Sequence, residues 1–104
     1  MIITLTAFTL PSRLPREEVH KIFLSTAPKY REPKGLLSKH YVIADDGVTV
    51  GGIYQWQTRA DAEAMYTDAW REFVRGKYGT DPKVTYFDCP VIVDNIAGKI
   101  IDNA

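Results

Sequence analysis

The stretch "LLSKHYVIADDGVTVGGIYQWQ", residues 36 to 57, decides the fold. Two β-prone runs flank Asp46-Gly47, and that dipeptide suits a type I′ turn, which needs positive φ at both central residues. Residues 36–44 are therefore predicted as one strand and 48–57 as its antiparallel neighbour. Upstream, "IITLTAFTL" (2–10) is β-branched, partly alternating and stopped by Pro11, so it reads as a first strand. Then "SRLPREEVHKIFLSTAPKY" (12–30) reads as a helix. Pro15 suits its first position, Glu17 and Glu18 suit the positive end of its dipole, and Val19, Ile22, Phe23 and Ala27 share one face. Pro28 is expected to end it.

Downstream, Thr58 and Asp61 form a capping-box-like start for a second helix, whose apolar stripe is Ala62, Met65, Tyr66, Ala69 and Phe73. Thr67-Asp68 offers another cap inside it, a place for the helix to break, and Gly76 and Gly79 mark its end. "KVTYFDCPVIV" (83–93) is predicted as a fourth strand, with Pro90 at an edge or bulge. The order β-α-β-β-α-β points to an α+β, ferredoxin-like fold: a four-stranded antiparallel sheet with both helices on one face. The other face is left open, and pairing with a second copy would bury it. The expected assembly is a homodimer.

With 104 residues the chain is expected to be one domain, residues 1–104, with 94–104 as a C-terminal extension. "KII" (99–101) in that tail either adds a short strand to the partner or belongs to a loose terminus. Thirteen basic and thirteen acidic residues give zero formal net charge, which argues against a nucleic-acid partner. Cys89 is the one cysteine, so no intrachain disulfide forms. No run approaches a membrane span, and the mixed start "MIITLTAFTLPSR" does not resemble a signal peptide, so the expected location is soluble and cytoplasmic.

The candidate chemistry sits beside the second and third strands. Tyr54 and Trp56 are two apart, so they share a sheet face with Gly52, whose missing side chain leaves room there. Facing the helices, they would meet Tyr66 and Trp70, which are four apart on a helix. The four rings, with Phe23 of the first helix, either line a pocket for a small hydrophobic or aromatic ligand or fill the core. Gly51 leaves room on the opposite face, or the glycine pair forms a bulge. His40, on the adjacent strand, is the candidate proton acceptor; the competing reading is a hydrogen-bonded structural histidine. His20 and His40 stand twenty positions apart with no ligand cluster, so no metal site is expected. Cys89 reads as a small buried hydrophobe. Lys29, Tyr30 and Arg31 either meet an anionic group at a pocket mouth or form a solvated helix end. Phosphate-binding glycine loops and a GxSxG elbow are absent.

"KGLLSKHY" (34–41), "DGVTVGGIYQW" (46–56) and "ADAEAMYTDAW" (60–70) resemble the YdhR-like monooxygenases of the dimeric α+β barrel superfamily, alongside the antibiotic biosynthesis monooxygenases. The likeness runs through "IFLSTAPKYREPKG" and on to "VTYFDCPVIVDN" (84–95), nearly the whole chain. It implies a homodimer with two sheets facing each other as a barrel, and a pocket between sheet and helices in each subunit. It also implies oxidation of quinol-like aromatics by dioxygen with no metal, flavin or haem, the deprotonated substrate supplying electrons. On that reading His40 and Trp56 are catalytic, and Tyr54, Tyr66, Trp70 and Phe23 bind substrate. Haem-degrading relatives carry a histidine late in the second helix; "AWREFVRGKYG" (69–79) has none. The expected function is a cofactor-independent monooxygenase, with a non-catalytic binding or sensing module of the same fold as the alternative.

Overall fold

The chain is described from a computed structural model covering residues 1–104. Strand β1 (Ile2–Thr9) leads to helix α1 (Arg16–Thr26), strands β2 (Leu36–Ile43) and β3 (Thr49–Trp56), helices α2 (Arg59–Met65) and α3 (Asp68–Tyr78), and strand β4 (Lys83–Asp88). A hairpin of β5 (Val91–Asp94) and β6 (Lys99–Asp102) follows. The main sheet is antiparallel in the order β2-β3-β1-β4, so the fold is the expected ferredoxin-like α+β.

Alternation along the strands divides the sheet into two faces. Thr4, Thr6 and Phe8 of β1 and Val50, Tyr54 and Trp56 of β3 are buried on the helix side. There they join Val19 and Phe23 of α1, Ala62 of α2, and Trp70, Val74 and Tyr78 of α3. The opposite face has no helix, and Ile53 and Phe87 are exposed on it, at 39% and 49%.

Local chemistry explains the elements. Pro15 is the N-cap of α1, its carbonyl accepting from the Val19 amide, and Glu17 and Glu18 occupy the first turn. The helix ends at Thr26, and Pro28 lies in a 3-10 turn, Ala27–Arg31, that carries Tyr30 over the sheet. Thr58 caps α2 by accepting from Asp61 N, and Thr67 caps α3 by accepting from Trp70 N. The predicted second helix is thus two helices. Gly79 closes α3 at φ 75°, where other residues are strained.

Three expectations need correction. The β2–β3 connection is a four-residue loop rather than a two-residue type I′ turn. Ala44 N donates to Thr49 O, Gly47 alone has positive φ, and Asp46 accepts from Val48 N, Thr49 N and the Thr49 hydroxyl. These bonds hold the Asp46 carboxyl below its ordinary range. Secondly, residues 83–93 are not one strand. Pro90 interrupts the ladder, and Val91–Asp94 leaves the main sheet to pair with β6. Thirdly, neither alternative for Gly51 holds: Gly51-Gly52 is not a bulge, because β1 and β3 pair residue for residue throughout, and Gly51 leaves no room, because the Thr6 carbonyl lies against it. The register shift lies in β2, at Leu37 between Leu36 and Ser38.

Gly51 is required by a close approach: a Cβ there would fall on the Thr6 carbonyl oxygen, a backbone atom. Gly51→Ala is therefore expected to destabilise the chain by about 1–3 kcal/mol, the overpacking range. Chemical denaturation midpoints check this, and an unchanged midpoint would contradict the close approach.

Candidate functional site

The space between sheet and helices is lined with rings. Tyr54 and Trp56 stack at 6.2 Å and 12°. Tyr66 meets Tyr54 edge-on at 5.6 Å and Trp70 at 4.8 Å. The four expected rings are therefore one cluster, with the offset and edge geometries aromatic pairs prefer. Its polar tips are paired. Trp56 Nε1 donates to Thr4 Oγ1 at 3.0 Å, and that hydroxyl also bonds the Tyr66 hydroxyl. Trp70 Nε1 donates to the Tyr30 hydroxyl at 3.0 Å. Phe23 lies at the far end, 4.7 Å from the Tyr41 ring. Burial pushes the Tyr30, Tyr54 and Tyr66 phenols upward and Tyr41 to about 12, so all four stay protonated at neutral pH.

The rings fill most of the space that they enclose. The interior cavity among Thr6, Phe23, Tyr30, Tyr54 and Trp70 measures about 20 Å³, room for one water and not for an aromatic ligand. Three open grooves border it; one of about 360 Å³ lies between α1 and β2 beside Arg16, His20, Phe23 and Tyr41, and the other two meet at Tyr30. The larger, about 660 Å³, runs between the 3-10 turn and the α2–α3 junction, with Tyr30, Met65 and Trp70 on its wall and Lys29, Glu32 and Asp61 among its polar groups. The smaller, about 360 Å³, lies between that turn and the start of β2, beside Tyr30, Arg31, Leu37, Ser38, Lys39 and Tyr41. Both volumes fall in the range of small-molecule sites. Tyr30 borders these two grooves and the cavity.

His40 is not beside the rings. It is exposed and pairs with Ile53 on the open face of the sheet. The extra residue at Leu37 is the cause. Leu36 pairs with Trp56; without the shift, alternation would set His40 opposite Gly52 on the helix side. With it, Lys39 pairs with Tyr54 and Tyr41 with Gly52. His20 is exposed on α1, and Cys89 is partly buried at the break after β4. No three His, Cys, Asp or Glu side chains converge as a metal site would require.

Lys39 was not anticipated as a site residue. Its Nζ sits 3.3 Å from the Tyr30 ring centroid, 3.8 Å from Tyr41 and 4.8 Å from Tyr54. The space left by Gly52 admits it: a Cβ there would lie 2.9 Å from Lys39 Cε and 2.9 Å from the Tyr54 ring. The chain's three ion pairs, Lys21–Glu18, Arg59–Glu63 and Arg75–Asp81, leave Lys39 without a carboxylate. Burial, and secondarily the charge of Lys29, lower it from an ordinary 10.5 to about 6. The signal in the sequence was a single lysine inside "LLSKHYVI", readable only once the register is known.

No family model matches the chain, and no curated protein matches it in sequence. Solved structures match it in fold. The ActVA-Orf6 monooxygenase of Streptomyces coelicolor, in complex with nanaomycin D, aligns with a TM-score of 0.67 at 16% identity, over 88% of this chain and 89% of that one. SnoaB, a cofactor-independent oxygenase from Streptomyces nogalater, gives 0.62 at 13% identity, over 85% and 91%. An antibiotic biosynthesis monooxygenase gives 0.63 at 16% identity, over 86% and 98%. The chain has the fold of the antibiotic biosynthesis monooxygenases. No helix in it is long and apolar enough to cross a membrane.

Lys39 makes stability depend on pH, and the sign is fixed. Between about 6 and 10.5 the unfolded chain holds a proton on this amine that the folded chain lacks, so stability rises with pH across that window. Below it both states are protonated and the burial penalty is present in full. Lys39→Met should remove that rise and stabilise the fold at neutral pH. Denaturation midpoints measured across the window test this; equal slopes in both proteins would refute it.

Proposed function

We propose that the chain is a cofactor-independent monooxygenase that oxidises a small aromatic or enolisable compound with dioxygen, acting as a cytoplasmic homodimer of the YdhR-like kind. The observation that carries this reading is the open groove of about 660 Å³ between the 3-10 turn and the α2–α3 junction, walled by Tyr30 and Trp70 at the edge of the filled ring cluster. The shared fold with a cofactor-independent oxygenase supports it.

In this reaction the substrate itself is the reductant: a phenolate or enolate donates electrons to dioxygen. The protein must bind a flat apolar molecule, exclude water, and stabilise negative charge on one oxygen. Trp70 and Met65 supply apolar wall in the groove. Tyr30 accepts from Trp70 Nε1 and keeps its own proton to donate to a substrate oxygen. Tyr54, Trp56 and Tyr66 back this wall, and Thr4 holds two of them by their polar tips. His40 stands on the other sheet face and has no part in this site within one chain.

Oxygen consumption tests the reading. A panel of quinols and enolisable aromatic ketones should include a compound that drives dioxygen loss in step with product. Trp70→Ala should lower kcat/KM at least ~10-fold, a loss of about 1.4 kcal/mol of transition-state stabilisation. His40→Ala should leave it unchanged. Ligand-induced thermal stabilisation with no oxygen loss across the panel would make the chain a binding module instead.

The dimer rests on the uncovered sheet face. Ile53 and Phe87 are exposed there, and the terminal hairpin adds Val91 and Val93, at 56% and 63% exposure. A hairpin of two four-residue strands is marginal by itself. Its docking on a second copy would supply the missing apolar contact. Light scattering should report a dimer for the wild type and a monomer for Phe87→Asp. A wild-type monomer would refute the assembly.

A further inference from the structure

We propose that Lys39 is the group that takes the proton from the substrate: an amine seated among three tyrosine faces that accepts a proton from an acidic phenol or enol in the groove beside it, and then pairs with the anion it has made. This rests on the oxygenase reading, adds to it the residue and the substrate class, and sets the acidic oxygen of the substrate on the Lys39 side of Tyr30, the residue that the grooves of about 360 and 660 Å³ share.

The geometry supports each part. Lys39 borders both the interior cavity and the groove of about 360 Å³, so its amine stands between bulk solvent and the rings. Every charged or titratable group facing it can be named. The 3-10 turn brings Lys29, Tyr30 and Arg31, β2 brings Tyr41, β3 brings Tyr54, and α3 brings Tyr78 across the cavity. None is acidic, and neither cavity has an acidic residue in its lining. A buried ammonium normally has a carboxylate partner. Here the ring faces alone would hold it, each by its quadrupole and none by accepting a full charge. The counter-ion is missing from the chain, and an anionic ligand would supply it.

The step balances without a co-reactant. The substrate O–H bond breaks, an N–H bond forms on Nζ, the neutral amine becomes an ammonium, and the electron pair stays on the substrate oxygen. Burial keeps the amine near 6, so it is neutral and able to accept at physiological pH. The same weakness as a base restricts the substrate. A simple phenol titrates near 10 and is too weak an acid; an acidic phenol or a vinylogous acid matches. Arg31 on the same groove wall adds a fixed positive charge to orient the anion.

The probe is 4-nitrophenol, whose phenolate absorbs apart from the phenol, mixed with the intact protein at a pH above the amine's value of about 6 and below the value at which the free compound ionises. Binding to the wild type should raise the phenolate band, and binding to Lys39→Met should not. A probe that binds the wild type as neutral phenol, or fails to bind it, overturns the proposal. Lys39→Met is expected to fold, since it removes the burial penalty of the amine; Lys39→Arg, a permanent cation that cannot accept a proton, separates proton transfer from charge once its circular dichroism matches the wild type. With an oxidisable substrate, kcat/KM of the wild type should rise through about pH 6 as the amine deprotonates. Lys39→Arg should lose that limb and fall roughly 10²-fold or more, the usual weight of a general base. Oxygen uptake that persists in Lys39→Arg with an unchanged pH profile refutes the role of Lys39 and leaves the oxygenase standing. A phenolate band with no oxygen loss across the panel does the reverse.

Discussion

The extra residue at Leu37 determines which side chains of β2 enter the space between sheet and helices. Pairing on β3 runs from Trp56 with Leu36 to Gln55 with Ser38, so one position of β2 has no partner. Beyond it, Lys39, Tyr41 and Ile43 turn toward the helices, and His40 and Val42 turn away. A one-residue change of register exchanges the two sets completely. The helix-side surface is consequently built around an amine and a phenol where a regular strand would have placed an imidazole.

That surface combines two kinds of packing. Around Trp56 it is dry and fully paired: the indole is 0% exposed, and its N–H reaches the buried Thr4 hydroxyl. No buried side-chain nitrogen or oxygen lacks a partner. In the other region Lys39 is half-buried, and its neutral amine has ring faces where a charged one would need a carboxylate. The first region serves stability. The second carries a standing burial cost, and such costs gather where a fold has work to do.

Much of the architecture was legible in the sequence because it depends on local signals. Alternating β-branched runs, Thr58 and Thr67 as caps, and Gly79 as a stop each act within a few residues. They gave the element order and the break between α2 and α3. The ring cluster was legible too: two-residue spacing on β3 sets Tyr54 beside Trp56, and Tyr66 and Trp70 still meet, although the helix expected to carry both breaks between them, leaving Tyr66 at the end of α2 and Trp70 in α3. What escaped detection depends on pairing between strands. Whether the irregularity lay at Gly51-Gly52 or at Leu37 could not be decided from residue types, and that choice exchanges His40 for Lys39. The end of β4 was missed for a related reason. "VIV" after Pro90 is as β-prone as the strand before it, and only its pairing with residues 99–102 shows that it belongs to another sheet.

Gly52 and Lys39 share one parcel of volume, since the glycine's absent methyl is where the lysine stem and the Tyr54 ring now lie. Neither position can therefore drift alone. A relative that acquires a side chain at position 52 must re-aim both the side chain at 39 and the ring at 54, and one that loses the lysine still has the Tyr54 ring against the gap. The two positions should be inherited as a unit, and across homologues their joint state would sort sequences that keep the amine from those that have only the fold.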